Sequence, residues 1–192
     1  DGLYRITTDG VVTKDVNIDL PDGVNSAIVF GNTTYVSTKT ALLFKRDYEI
    51  DWREVFKLND GFVRSTDRLT FAVGVNPDAA GSSLVFYSHS GVVWNRSNTF
   101  TDIQINGVAQ RYDSVYYASN KGLLVEDLSR LFIQDSVLAP VITVAQLEGE
   151  DADNESLVIN DVHGDSNKVV AVTKDGKFYE MSGATVVNSA AS

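Results

Sequence analysis

The sequence predicts an all-β fold of the β-propeller type, with about four complete four-stranded blades and an N-terminal half blade. Residues 1–192 read as a single propeller domain or as a fragment of a larger propeller. Three observations carry this prediction. First, a hairpin pattern of two β-rich runs around a glycine turn recurs along the chain. Lys168–Met181 turns at Asp175-Gly176, Ser114–Glu126 at Lys121-Gly122, Ser83–Asn95 at Ser90-Gly91, and Thr33–Lys45 has Ala41 where glycine would stand; a fifth copy opens the chain at Asp1-Gly2-Leu3-Tyr4. Second, Gly2, Ala41, Gly91, Gly122 and Gly176 lie 39, 50, 31 and 54 residues apart, which averages close to the ~40–50 residues of a four-stranded blade. Third, Val, Ile, Tyr, Phe, Thr and Trp fill the runs, while Asp, Asn, Gly, Ser and Pro fill the gaps, the usage expected of strands and turns.

In chain order, Leu3–Ile6 and Val11–Ile18 are expected as the two outer strands of an incomplete first blade. Ser26–Phe30, Thr34–Ser37, Leu42–Arg46 and Trp52–Phe56 form the next. A third blade takes Phe62–Val75, Leu84–Ser88, Val92–Arg96 and Thr101–Ile105, with Asn76–Ser83 as a loop after its first strand. The fourth takes Val108–Tyr112, Ser114–Ala118, Leu123–Glu126 and Leu131–Gln134, and the last Leu157–Asn160, Val169–Thr173, Lys177–Met181 and Thr185–Asn188. Asp175-Gly176 suits a type I′ turn, because both residues tolerate positive φ. Trp52, Glu54 and Phe56 alternate with Arg53 and Val55, as an outer strand with one wet face should. The continuous apolar runs Val169–Val172 and Leu84–Tyr87 predict strands buried on both faces. Only Tyr48–Leu58 hints at a helical turn. Between the last two blades, Ser136–Ser156 holds a possible additional strand at Val141–Leu147 and the acidic run Glu148–Glu155, which is too charged to bury. This parse leaves the N-terminal pair without inner strands, so residues upstream of Asp1 or another chain are expected to complete it.

Composition narrows the function. With no cysteine, disulfide and thiolate chemistry are excluded. Sixteen basic against 26 acidic residues give a net charge of −10 with no Lys/Arg cluster, which argues against nucleic-acid and anionic-membrane partners. No run reaches the ~20 apolar residues of a membrane helix, and no signal peptide is visible.

Candidate chemistry is sparse. His89 and His163 lie 74 residues apart without a carboxylate at metal-ligand spacing, so both are read as loop histidines. The Glu148–Glu155 run offers oxygen ligands for calcium but lacks EF-hand spacing. Nucleophile-elbow, P-loop, dinucleotide-binding and zincin motifs are absent, so the expectation is no enzyme, no catalytic residue, no cofactor and no metal. Tyr35, Tyr87, Trp94, Tyr116, Tyr117 and Tyr179 have the chemistry to stack on sugars, but their recurrence at equivalent repeat positions favours blade packing. The sequons at Asn32, Asn95 and Asn154 carry little weight without a secretory signal.

At the repeat level the chain resembles sialidase-like and photosystem-assembly-factor-like propellers, whose blades carry a Ser-x-Asp-x-Gly-x-Thr-Trp turn. Gly91-Val92-Val93-Trp94 keeps the Gly and Trp, while Tyr87 and His89 stand where Ser and Asp would be. The sialidase arginine triad, tyrosine and acids have no counterpart. Similar degenerate propellers occur in tailed-phage tail and nozzle proteins. The leading expectation is therefore a non-enzymatic structural or protein-interaction propeller in a larger assembly, such as a phage tail or other virion component, with other protein chains as partners. The alternative is a glycan-binding or glycan-hydrolysing propeller.

Overall fold

The computed structural model describes residues 3–6, 8–14, 23–132, 143–144, 158–164, 167–182 and 185–190. A two-stranded hairpin, β1 (Tyr4–Ile6) and β2 (Val12–Lys14), precedes four antiparallel four-stranded sheets. Sheet I contains β3 (Ser26–Phe30), β4 (Thr33–Ser37), β5 (Ala41–Arg46) and β6 (Arg53–Lys57). Sheet II contains β7 (Asn59–Ser65), β8 (Thr70–Val75), β9 (Ser83–Ser88) and β10 (Asn95–Phe100). Sheet III contains β11 (Ile105–Arg111), β12 (Ser114–Ser119), β13 (Gly122–Asp127) and β14 (Thr143–Val144). Sheet IV contains β15 (Ile159–Gly164), β16 (Val169–Thr173), β17 (Phe178–Ser182) and β18 (Thr185–Ala190). Within each sheet the strands follow one another in sequence order. Helix is limited, among the described residues, to a 3-10 turn at Leu128–Phe132.

The apolar faces of these sheets pack face to face. Tyr35, Leu42, Leu58, Val63 and Ala72 join sheets I and II, with Phe44, Phe56, Phe86 and Trp94 packed against them. Phe71, Val73, Tyr87 and Phe100 of sheet II meet Val108, Val115, Tyr117 and Leu124 of sheet III. Ala109, Tyr116 and Leu123 of sheet III meet Ile159, Val162, Ala171 and Met181 of sheet IV. Small residues allow the close approaches on this scale. A Cβ on Gly61 would overlap the Leu58 side chain and the Val73 carbonyl, so only glycine lets β7 lie so near its neighbours. The first strands of successive sheets converge: β3 lies beside β7, and β11 beside β15.

Several expectations change. Phe62–Val75 is two strands, broken by residues 66–69, where the Thr66 hydroxyl donates to the Leu69 carbonyl (2.8 Å) and accepts from its N–H (3.2 Å). The turn needs no glycine, which hid it. Asn76–Ser83 therefore joins the second and third strands of sheet II, and Gly91 turns the third into the fourth. Val92–Trp94 lie in that turn, and Thr101–Gln104 form the connection to β11 instead of a strand. Of the Leu131–Gln134 run expected as the outer strand of sheet III, the 3-10 turn takes Leu131 and Phe132, residues 133–134 lie outside the described residues, and the Leu131 carbonyl accepts the Tyr87 hydroxyl (2.7 Å). β14 fills that edge and lies within the expected Val141–Leu147 run, the rest of which is outside the described residues.

The turn at Gly176 is not type I′. Gly176 has φ +88°, but Asp175 is not among the residues with positive φ. The Thr173 carbonyl accepts from Gly176 N–H, and the Thr173 N–H donates to the Lys177 carbonyl, closing a longer loop. Alternation in β6 is broken by a register shift opposite Leu42 and Leu43, a bulge that turns both Val55 and Phe56 toward the aromatic cluster. Burial on both faces belongs to β8 and β12 in the middle of the stack, whereas β9 alternates and Val172 of β16 is exposed.

Candidate interaction surface

The hairpin that opens the chain differs from every sheet after it. Its three cross-strand pairs, Tyr4 with Lys14, Arg5 with Thr13 and Ile6 with Val12, leave Tyr4, Ile6, Val11 and Val12 between 51% and 70% exposed. β3 extends this surface. Its alternation sends Ile28 and Phe30 toward sheet II and Ala27 and Val29 outward, with Val29 68% exposed. Between the hairpin and sheet I lies a cleft of about 320 Å³, lined by Leu3, Tyr4 and Ile6 on one side and Ala27, Val29 and Trp52 on the other. The indole Nε1 of Trp52 is buried without a hydrogen-bond partner, and the Lys45 ammonium sits 5.1 Å from its ring, within cation–π range. The surface is apolar, grooved and bordered by strand backbone.

The other residues singled out from the sequence are dispersed. Tyr35, Tyr87, Tyr116, Tyr117 and Tyr179 are buried between sheets, and Trp94 is half-buried. The polar tips of Tyr35, Tyr87, Trp94 and Tyr117 have internal partners. The Tyr35 hydroxyl and Trp94 Nε1 both donate to the Gly91 carbonyl (2.6 and 2.9 Å). The Tyr117 hydroxyl donates to Glu126 (2.9 Å) in the core between sheets II and III. Burial pushes the Tyr117 phenol well above its ordinary value, and the adjacent Glu126 carboxylate raises it further. Burial likewise raises Tyr35 and Tyr87. The five tyrosines are packing residues buried between sheets, and Trp94 packs against the same cluster as Tyr35. His89 is exposed in the β9–β10 turn and His163 is exposed in β15, on different sheets. Among the described residues, no group of three or more His, Cys, Asp or Glu side chains is placed to hold a metal. Glu148–Glu155 and Asn154 lie outside the described residues. Asn32 is in the exposed β3–β4 turn, and Asn95 begins β10.

No local sequence pattern marks the clamp that crosses the convergence of inner strands. Arg64 of β7 reaches Asp161 of β15 with two contacts (Nη1–Oδ1 3.1 Å, Nη2–Oδ2 3.3 Å) and also donates to the Val162 carbonyl (3.1 Å). Asp161 Oδ1 lies against Gly107, where a Cβ would overlap it. The partners are 97 residues apart, beyond any local pattern. This fork belongs to the architecture: it ties sheet II to sheet IV and occupies the space near the axis.

Among solved structures, the chain is similar to a chain of the nidogen/laminin complex (TM-score 0.63, 12% identity, covering 98% of this chain and 71% of that one). It is also similar to a quinoprotein alcohol dehydrogenase-like protein from Bacteroides thetaiotaomicron (TM-score 0.65, 12% identity, 98% of this chain and 50% of that one). The computationally designed Ika4 protein matches with a TM-score of 0.52 at 12% identity, covering 83% of this chain and 91% of that one. No family model matches the chain, and no curated protein sequence matches it. The likenesses show the fold: this is a β-propeller chain. It spans half the length of the dehydrogenase-like protein and 71% of the nidogen/laminin chain.

Proposed function

We propose that the chain is a non-enzymatic propeller module that serves as a structural, protein-binding part of a larger assembly. The observation that carries this reading is the N-terminal hairpin. Among the described residues it has two strands where its neighbours have four, and it presents Tyr4, Ile6 and Val12 beside the outward Val29. A two-stranded sheet is marginal on its own in water, and a contiguous exposed apolar surface marks a protein contact. Pairing along β1 and burial of these side chains would supply both missing contributions, as in strand addition. Within this reading, a tailed-phage tail or other virion is the assembly we propose; the cysteine-free, acidic composition suits it. The glycan-binding alternative loses its supporting residues, because the six aromatics are committed to packing.

The test is gel filtration of a native extract containing the tagged full-length protein, beside Ile6→Lys/Val12→Lys. Wild type is expected in a large complex and the variant at the free size. Elution of both at the free size would refute the reading. Mass spectrometry of purified particles then decides the virion assignment.

A further inference from the structure

We infer that one end of the propeller, distinct from the N-terminal hairpin, is a docking face for a protein surface that presents apolar and basic side chains together. The antiparallel order of each sheet puts its first-to-second and third-to-fourth connections at one end. Contacts between sheets confirm that these ends coincide. Arg68 of the β7–β8 loop pairs with Asp113 of the β11–β12 loop at 3.0 Å, and the Tyr35 hydroxyl, reaching out from the middle of β4, meets the β9–β10 turn at Gly91.

The two ends differ in chemistry. At this end the loops 31–32, 47–52, 66–69, 89–94 and 112–113 carry Tyr48 (74% exposed), Ile50 (72%), Val92 (66%), Val93 (64%) and Tyr112 (62%). The opposite loops 38–40, 76–82, 101–104, 120–121 and 174–177 carry no exposed large apolar side chain. Charge divides the same way. The first set holds Asp47, Glu49, Asp51, Asp67 and Asp113 against Arg68, with Arg130 and Lys168 in the other described connections at that end, and the second holds Lys39, Lys121, Lys174 and Lys177 against three aspartates. Among the described residues, no cation pairs with Asp51 or Asp67.

The apolar side chains stand on ordered loops. In 47–52, Glu49 accepts from the Arg46 backbone N–H (3.2 Å) and pairs with Arg53 (3.2 Å), while Arg46 donates to the Tyr48 hydroxyl (2.9 Å). In 89–94, Ser88 Oγ accepts from Gly91 N–H (2.8 Å) and donates to the Val93 carbonyl (2.6 Å). Both loops rest on one aromatic base, because the Tyr35 ring packs against Phe44 of β5 at 6.3 Å and against Trp94 at 5.8 Å. Exposed apolar groups on a fixed scaffold lose little freedom on binding, and the carboxylates interleaved with them select a cationic partner and repel acidic ones.

The probe is a fluorescein-labelled peptide of alternating leucine and arginine, with leucine/serine and arginine/serine analogues, read by fluorescence anisotropy and by amide shifts in NMR. The leucine/arginine peptide is expected to bind the wild-type protein more tightly than either analogue, and to shift amides in 47–52 and 89–94. Tyr48→Ser/Ile50→Ser/Val92→Ser/Val93→Ser should weaken binding about tenfold or more, and Asp51→Asn/Asp67→Asn about threefold, with the loss greatest at low salt. The control Val75→Ser/Val172→Ser should bind as wild type does. Circular dichroism checks that each variant is folded. No binding, amide shifts confined to the opposite loops, equal binding by the four-residue variant, or equal binding of the arginine/serine peptide would each overturn the inference. Because the hairpin is untouched, this result is independent of the gel-filtration test.

Discussion

Gly91→Ala should be among the most destabilising single-methyl additions in the chain. Gly91 has φ +72°, and a Cβ there would lie 2.9 Å from Tyr35 Cζ and closer still to its hydroxyl oxygen. Holding alanine in the left-handed region costs about 1–2 kcal/mol. Displacing the buried Tyr35 hydroxyl from the Gly91 carbonyl costs about 1–3 kcal/mol more, for a total of roughly 2–5 kcal/mol against the ~5–15 kcal/mol stability of a typical domain. Tyr35→Phe alone should cost only about 1 kcal/mol, because Trp94 Nε1 still donates to that carbonyl. In the Tyr35→Phe background, Gly91→Ala should lose much of its hydroxyl-dependent cost, giving a coupling of about 1 kcal/mol or more. Urea unfolding followed by circular dichroism and tryptophan fluorescence measures all four corners of the cycle. A Gly91→Ala cost below about 0.5 kcal/mol, or no coupling to Tyr35, would refute the packing described for this turn.

Three further outcomes are expected. Tyr35, Tyr87 and Tyr117 have phenols raised above their unfolded value. Their contribution is thus fully present below pH ~10 and is lost as pH rises from there toward the folded values, by about 1.4 kcal/mol per pH unit for each phenol. Chemical unfolding as a function of alkaline pH should show this fall, and Tyr117→Phe should make it shallower. Ser119→Ala removes a buried hydroxyl that donates to the Gly122 carbonyl (2.7 Å) and accepts from Lys121 N–H (3.1 Å); thermal or urea unfolding should show a loss of about 1–2 kcal/mol, largely restored by threonine. Arg64→Met breaks a partly exposed fork, so the loss should be only about 1 kcal/mol and should shrink in high salt; unfolding at two ionic strengths measures it.

The repeat was legible because strand composition and turn residues act locally. Ser26–Phe30 and Val169–Thr173 were readable to the residue, since their partners lie one short turn away. Sheet II departs from the glycine-aligned phase because its first turn, at residues 66–69, has no glycine. A better local signal was present: Thr38, Ser88, Ser119 and Thr173 each lie three residues before the aligned turn position. Each closes its turn by both accepting from and donating to the backbone. Thr66 does the same without glycine at the β7–β8 turn. The aromatic positions were readable as packing from their recurrence, but their partners were not: Tyr35 meets Gly91 56 residues away, and Arg64 meets Asp161 at a separation of 97. Neither was the loop-face asymmetry, because it depends on which connections share an end.

The most direct test of the account is amide hydrogen exchange at Tyr4–Ile6 and Val12–Lys14, compared between the isolated chain and the native assembly. In the isolated chain these amides are expected to exchange far faster than those of β4, β8 and β12, and to become protected in the assembly. Equal protection in both states, or fast exchange that persists in the assembly, would contradict a module that completes its N-terminal sheet with another protein segment.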